Sequence, residues 1–380
     1  MCRQRKRILV CGNGNVTKRN DRVFLHDEIG RFLADCCELG MTVGYATVIL
    51  DEKEEKTKNL ANRQFPENVQ IEEFPSFSSG SLLRKIFTVP VILLKMASLF
   101  RKYDFFYCYY PGSIAVLLVR AARIFRKKYA LYVRGELSDS KGIRRDIEGA
   151  SFIFATGCSI VTSICPDYTK CREVAPMSNV FRREFVSEPR LDFHEPLQGL
   201  FVGRVSQEKG IYELLEAMKI LQDNAVPVTM NLVGSYCDDV AEMMEKLELK
   251  NTFLCGLAKN ADELQHYYKE ADFFCLPTWT EGFPRVLYEA MSYALPCLTT
   301  MVGGIPSRMR DNENCIALQV RKAVSIEEAI RYLVTHQEVL PRLSAASQAT
   351  FHYWKKQFHG CVHAKQLLEC LYSNNKIERE

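Results

Sequence analysis

Three features of the 380-residue sequence predict an α/β protein built from two doubly wound parallel sheets. Short apolar runs of strand length alternate with amphipathic helical stretches along most of the chain, the order that produces parallel sheets with helices on both faces. Several of those runs end in glycine, at Gly12, Gly203, Gly234 and Gly256. A strand passing through a glycine turn into a helix is how such a sheet presents its carboxyl edge to a ligand. Between Pro176 and Leu197 the alternation breaks, with Pro189 and Pro196 inside a weakly periodic stretch, and this marks a linker. The expected organisation is a first domain over 1–176, a linker over 177–198, a second domain over 199–350 and a closing helix and tail over 351–380.

Composition narrows the class. Hydrophobic residues make up 47% and charged residues 25% of the chain, as in a soluble globular protein. The net charge of +4 is too small for dedicated nucleic-acid binding, so no nucleic-acid partner is expected. The basic head before Arg7–Cys11 is followed by an apolar run too short for a signal peptide, and reads as a first strand. Fifteen cysteines are present, but Cys36 with Cys37 and Cys165 with Cys171 lack zinc-like spacing. Others, such as Cys108, Cys255, Cys275 and Cys297, occupy apolar positions as small hydrophobes. A reduced, cytoplasmic protein without a metal site is the expectation.

In the first half, the strand Arg7–Cys11 runs into Gly12-Asn13-Gly14-Asn15, an incomplete dinucleotide fingerprint. Apolar spacing predicts a helix over Asp21–Leu39, a strand over Met41–Leu50, a solvated loop after it and a strand over Val69–Phe74. The stretch 81–102 is apolar but interrupted by Arg84, Lys85, Lys95, Arg101 and Lys102. It is too short in its uncharged run to span a bilayer, and reads either as a buried crossover helix or as a contact with an anionic membrane surface. Tyr103–Tyr110 is an aromatic strand, and Pro111-Gly112-Ser113 opens a helix through Phe125. Tyr129–Val133 is a strand ending at Arg134-Gly135-Glu136, where a cation at a strand end suits an anionic ligand. A helix over Ser140–Phe154 and a strand over Ser159–Ile164 are expected to close this domain.

The second half restarts with Leu200-Phe201-Val202-Gly203. Arg204 and Lys209 follow across a strand-to-helix turn, five residues apart, before a helix over Ile211–Leu221. Arg204 offers a rigid fork of donors suited to phosphate oxygens, and Lys209 adds a mobile charge at a helix start. Strands over Val228–Gly234, leading to Ser235, and over Asn251–Gly256 come next, then a helix over Glu263–Lys269. The apolar strand ADFFCLP leads into the turn Thr278–Gly282 and a helix opened by Pro284. Glu281 in the turn and Glu289 in the helix are separated by seven residues. The free N–H groups of the first helical turn make a seat for a phosphate or carboxylate. Pro296–Thr300 and Asn314–Gln319 are expected strands, Val302–Pro306 a glycine turn, and Ser325–Leu333 and Leu340–Leu371 closing helices.

EGFPRVLYEAMSYALP resembles the Glu-x7-Glu signature of the family-four retaining glycosyltransferases, and FVGR-x4-KG resembles that family's diphosphate-binding loop. The resemblance implies a GT-B fold: two Rossmann-like domains facing a central cleft, with the last helix crossing back to the first. It implies a nucleotide-diphosphate sugar as donor, UDP-sugar favoured and GDP-sugar open. Arg204 and Lys209 would stabilise the leaving diphosphate, and Glu281, with the backbone N–H groups of Gly282 and Phe283, would orient the sugar. Glu289 would receive the ribose hydroxyls, and Gly203, Ser235 and Gly256 would line the donor site. In the first domain Gly12 and Gly14 would face the cleft. Arg134 stands near where the family often has a histidine, so that histidine's role does not transfer, and Arg134 and Glu136 remain cleft candidates. No obligatory cofactor or divalent ion is implied. The expected acceptor is a glycan or lipid-linked oligosaccharide in bacterial surface polysaccharide biosynthesis, at the inner face of the cytoplasmic membrane. An epimerase or phosphorylase of the same fold, a non-catalytic sugar-nucleotide sensor and a Rossmann oxidoreductase are the alternatives left open.

Overall fold

A computed structural model of the chain describes residues 6–12, 16–19, 22–51, 63–74, 92, 94–135, 137–174, 186–358 and 363–377. The chain divides into two compact units, the first comprising 1–178 with 361–380 and the second 179–360.

The first unit contains β1 (Arg7–Cys11), β2 (Val16–Arg19), β3 (Arg22–Leu25), α1 (Asp27–Glu38), β4 (Thr42–Thr47), β5 (Ile49–Asp51), β6 (Arg63–Gln64) and β7 (Gln70–Glu73). Then come helix α2 (residues 94–102), β8 (Phe105–Tyr110), α3 (Ser113–Ile124), β9 (Lys128–Val133), α4 (Lys141–Glu148), β10 (Ile153–Ala155), α5 (Ser159–Thr162) and β11 (Cys171–Glu173). Seven strands form one parallel sheet in the order β11-β10-β9-β8-β1-β4-β7, and β5-β2-β3-β6 form a small separate sheet. Alternation along β1 divides the core. Leu9 and Cys11 join the cluster of Met96, Leu99, Leu118 and Val119 on one face. Ile8 and Val10 join Phe32 and Leu33 on the other. This second face also receives Ala364, Leu367, Cys370 and Leu371, all buried. They belong to the helix His363–Ile377 at the end of the chain. Each of its buried leucines contributes roughly 1.5–3 kcal/mol of transfer free energy to that packing.

The described part of the stretch 81–102 packs into the core through Ile92, Met96, Leu99 and Phe100. Lys95 and Lys102 both bond the buried Glu72 carboxylate, at 2.8 and 2.5 Å, and Tyr103 Oη donates to it at 3.0 Å. Residues 75–91, with most of the proposed membrane-contacting segment, and the solvated loop at 52–62 lie outside the described residues.

Several element expectations need correction. The helix expected from Asp21 begins at Asp27, where His26 caps it by accepting from the Glu28 N–H. The residues before it, with Val23 and Phe24, pair antiparallel with β2 as β3. The strand expected over Met41–Leu50 is two strands in two sheets, because Ile49–Asp51 pairs with β2. The helix expected over Ser140–Phe154 ends at Glu148, and Ile153–Ala155 enters the parallel sheet beside β9. Ser159–Thr162 is one helical turn instead of a strand, and the sheet's edge is Cys171–Glu173. A short apolar run has no period that separates these two outcomes, so the sheet partner decides.

The second unit contains β12 (Leu197–Val202), α6 (Ile211–Asp223), β13 (Val228–Val233), α7 (Asp238–Lys246), β14 (Thr252–Gly256), α8 (Ala261–Glu270) and β15 (Phe273–Leu276). It continues through α9 (Arg285–Ser292), β16 (Cys297–Thr300), β17 (Ile316–Leu318), α10 (Ala323–Thr335) and α11 (Val339–Gln357), and α12 is the His363–Ile377 helix of the first unit. The six strands are parallel, in the order β14-β13-β12-β15-β16-β17. β12 is followed in space by β13 on one side and β15 on the other, which makes the gap between the ends of β12 and β15 a topological switch point. Every described cysteine is free, including the adjacent Cys158 and Cys171.

Candidate active site

The switch point is where the sequence places its charged candidates. β12 ends at Val202, Gly203 and Arg204 follow, and a 3-10 turn over Gln207–Lys209 leads into α6. Gly210 joins the two at φ 71°, and a side chain there would collide with the Pro277 carbonyl, so only glycine lets the turn lie against the end of β15. The facing turn is laced to the first. Trp279 N–H donates to Glu208 O at 2.9 Å, Thr278 Oγ1 bonds the same carbonyl at 3.3 Å, and Trp279 Nε1 donates to Glu213 Oε1 at 3.2 Å.

This lacing brings Lys209 and Glu281 together. Lys209 Nζ pairs with Glu281 Oε1. The two side chains are 24% and 19% exposed, so a partly desolvated ion pair sits at the mouth of the switch point. Arg204 stands apart from it, with its side chain 72% exposed and Nη1 3.5 Å from Glu208 Oε1. That separation leaves the guanidinium fork turned to solvent. The Glu208 carboxyl sits below the usual carboxylate range, chiefly through its own backbone N–H, with Ser206, Arg204 and Lys209 adding to the effect.

Gly282 and Phe283 are buried, and Pro284 caps α9 in extended conformation. The next turn presses onto them. Gly304 N–H donates to Gly282 O at 2.6 Å, and a side chain on Gly303 would strike the Glu281 carbonyl. Glu289, on α9, is half-buried and accepts from Tyr268 Oη at 3.0 Å. The Tyr268 ring is buried and stacked flat on Tyr293, with centroids 5.1 Å apart. Gly203, Ser235 and Gly256 lie at the carboxyl ends of the neighbouring strands β12, β13 and β14. Gly203 N–H bonds Val233 O, and Gly234 N–H bonds Gly256 O at 2.8 Å. The space over Gly256 is open. All nine second-unit candidates therefore lie along one sheet edge and the helix that starts from it.

The first-unit candidates are placed separately. Gly12 ends β1 against the Tyr45 hydroxyl, which leaves no room for a side chain. Arg134, at the end of β9, is 3.7 Å from Glu28 Oε2 and 6.0 Å from the Tyr132 ring centroid. Its partner is thus Glu28, on α1, which sequence spacing did not suggest. Gly14 and Glu136 lie outside the described residues. Among the described residues, no cluster of three His, Cys, Asp or Glu side chains could hold a metal ion, and no helix is long and apolar enough to cross a membrane.

Three contributors escaped the sequence reading. Tyr268 reaches Glu289 from another helix, and no spacing rule links the two. Arg321 lies over the Trp279 ring at 4.1 Å. Arg308 follows the glycine turn noted in the sequence and packs on Phe283, and a cation after an apolar turn was the one available signal.

Residues 183–350 match the family described as Glycosyl transferases group 1. Over 141 residues the chain is 34% identical to a protein of Bacillus subtilis (strain 168) assigned as a teichuronic acid biosynthesis glycosyltransferase. That stretch is 37% of this chain and 33% of the relative, so the match spans about a third of that relative's length. Among solved structures, sucrose-phosphate synthase from Thermosynechococcus elongatus superposes with a TM-score of 0.70 at 15% identity, covering 97% of this chain and all of the other. Anabaena HepE, crystallised with UDP-glucose, gives 0.62 at 14% identity, covering 97% and 100%. At such identities the likeness speaks to fold, and the fold is GT-B. The matched residues 183–350 hold the Lys209–Glu281 pair and all the other candidates of the second unit, so the likeness to the group 1 glycosyltransferases rests on the same stretch as the site.

Proposed function

We propose that the protein is a retaining glycosyltransferase that moves a hexosyl group from a nucleotide-diphosphate sugar, with UDP-sugar favoured, to a glycan or lipid-linked acceptor in surface polysaccharide biosynthesis. The observation that carries this reading is the Lys209–Glu281 pair at the switch point of the six-stranded sheet, with the exposed Arg204 fork nearby. On departure of the sugar, negative charge grows on the leaving diphosphate. Arg204 and Lys209 are the cations at hand to stabilise it, which is differential stabilisation of the transition state. Glu281 then orients the sugar beside the N–H groups of Gly282 and Phe283, and Glu289, held by Tyr268, accepts the ribose hydroxyls. The UDP-glucose complex of the HepE neighbour supports UDP as the first donor base to test, and the teichuronic acid assignment of the Bacillus relative supports a polysaccharide acceptor.

With two cations available as counter-charge, turnover is expected without an obligatory divalent ion. Loss of activity in EDTA, restored by one metal, would remove that part of the reading. Work at the inner membrane face belongs to the same proposal, and sedimentation with anionic vesicles at low salt tests it. The deciding experiment is calorimetry with UDP-, GDP- and ADP-sugars on wild type, Glu289→Ala and Arg204→Ala. Binding of one nucleotide class, weakened in both variants, is the expected result. Wild type that binds none of them would reduce the motif to scaffold.

A further inference from the structure

Arg308 is only 4% exposed, and aromatic rings surround it. Its guanidinium carbon lies 4.5 Å from the centroid of Phe283 and 4.7 Å from that of Trp354. The Tyr288 and Phe358 centroids are each 5.7 Å away. The rings also touch one another: Phe283 and Tyr288 are 4.6 Å apart, and Trp354 stacks on Phe358 at 5.4 Å. Three pieces of the second unit meet at this one cation: the Glu281–Phe283 turn with α9, the segment after β16, and the end of α11.

Guanidinium is weakly hydrated and planar, and it sits well on aromatic faces. Burying a cation nevertheless costs more than burying a methionine of similar reach, so space-filling alone does not account for an arginine at this position. The rest of the segment grips the same turn by its backbone, because Gly304 bonds Gly282 O and Gly303 abuts Glu281 O. Arg308 adds the side-chain half of that grip at Phe283. Resting on the donor reading above, we infer that Arg308 is a positioning residue for the donor site. Clasped between Phe283 and Trp354, it fixes the Phe283 ring and so aims the Gly282 and Phe283 N–H groups at the donor sugar.

The test is UDP-glucose calorimetry and donor kinetics on the 380-residue chain carrying Arg308→Met or Arg308→Lys, with UDP alone and melting curves alongside. Arg308→Met is expected to weaken UDP-glucose binding on the order of tenfold, with UDP alone changed less, and to raise the donor KM with it. Arg308→Lys, which keeps a charge but loses the planar, weakly hydrated face, is expected to recover only part of that loss. If Arg308→Met does not fold, Phe283→Leu removes the held ring while keeping the arginine, and the same weakening is expected. UDP-glucose binding unchanged in Arg308→Met, or in Phe283→Leu where that variant replaces it, overturns the inference. Each of these outcomes leaves the donor reading standing. Wild type that binds neither UDP nor GDP removes the donor reading itself, and this inference with it.

Discussion

Gly303→Ala tests whether the turn after β16 sets the position of Glu281. Gly303 has φ 55°, and an added Cβ would fall far inside 3.0 Å of the Glu281 carbonyl oxygen. Two penalties follow. The left-handed conformation costs a non-glycine residue about 1 kcal/mol, and the collision adds about 1–3 kcal/mol as overpacking does elsewhere. Gly256 separates the two, because its φ is 70° but nothing lies within 4 Å of the Cβ position. Gly256→Ala should therefore lose about 1 kcal/mol in urea unfolding, and Gly303→Ala about 2–4 kcal/mol. Relieving the collision moves the Glu281 backbone on the order of 1 Å, enough to lower kcat/KM on the order of 100-fold. The assay pairs urea unfolding of both variants with sugar-transfer kinetics of Gly303→Ala below its melting range. A Gly303→Ala protein as stable as Gly256→Ala, with wild-type turnover, would show that the turn yields freely and that Glu281 is not held by it.

Other outcomes can be stated more briefly. Glu281→Gln should lower kcat on the order of 100-fold or more while leaving UDP affinity within a few-fold. Lys209→Met should weaken UDP itself by about tenfold or more, since a charge-assisted bond is lost; the reverse pattern in calorimetry would interchange the two roles. Tyr268→Phe removes one hydrogen bond to Glu289 and should raise the donor KM about fivefold with kcat little changed. A fall in kcat at constant KM would place Glu289 on the sugar instead of the ribose. Stability should fall in acid because of His363, which is buried and bonds Tyr107 Oη at 2.5 Å. Burial, with the nearby Arg134 charge, pushes its pKa down to about 3. An imidazole depressed in this way contributes fully above about pH 6.5 and loses about 1.4 kcal/mol per pH unit below it, until about pH 3. Urea unfolding at pH 7 and pH 5 should differ by about 2 kcal/mol through this residue. His363→Gln should flatten the slope, and an unchanged slope would assign the acid sensitivity elsewhere.

The second unit was more legible in the sequence than the first, for a physical reason. Its strands β12, β13 and β15 are buried apolar runs bounded by glycine or proline, and its charged residues fall at strand ends where a parallel sheet binds ligands. In the first unit, Val23 and Phe24 suit a helix face and a hairpin equally well, and only pairing with β2 settles them. The split between β4 and β5 has the same origin, since Val48 separates two strands whose partners lie in different sheets. Among the candidate residues, Arg204, Lys209, Glu281 and Glu289 were singled out from local spacing, because each is placed by its own turn or helix. Contacts made across elements left no such trace.

By itself, then, the sequence determined the alternation of strand and helix, the two-part chain and the residue types at the switch-point turns. Each of these follows from local backbone preference and burial period. Only the tertiary structure decided that Lys209 pairs with Glu281 across 72 positions, that Tyr268 holds Glu289, and that Arg308 is wrapped by rings from the Phe283 turn, α9 and α11. Those contacts join residues far apart in the chain. Their geometry depends on how whole helices and sheet edges pack, which no window of sequence contains.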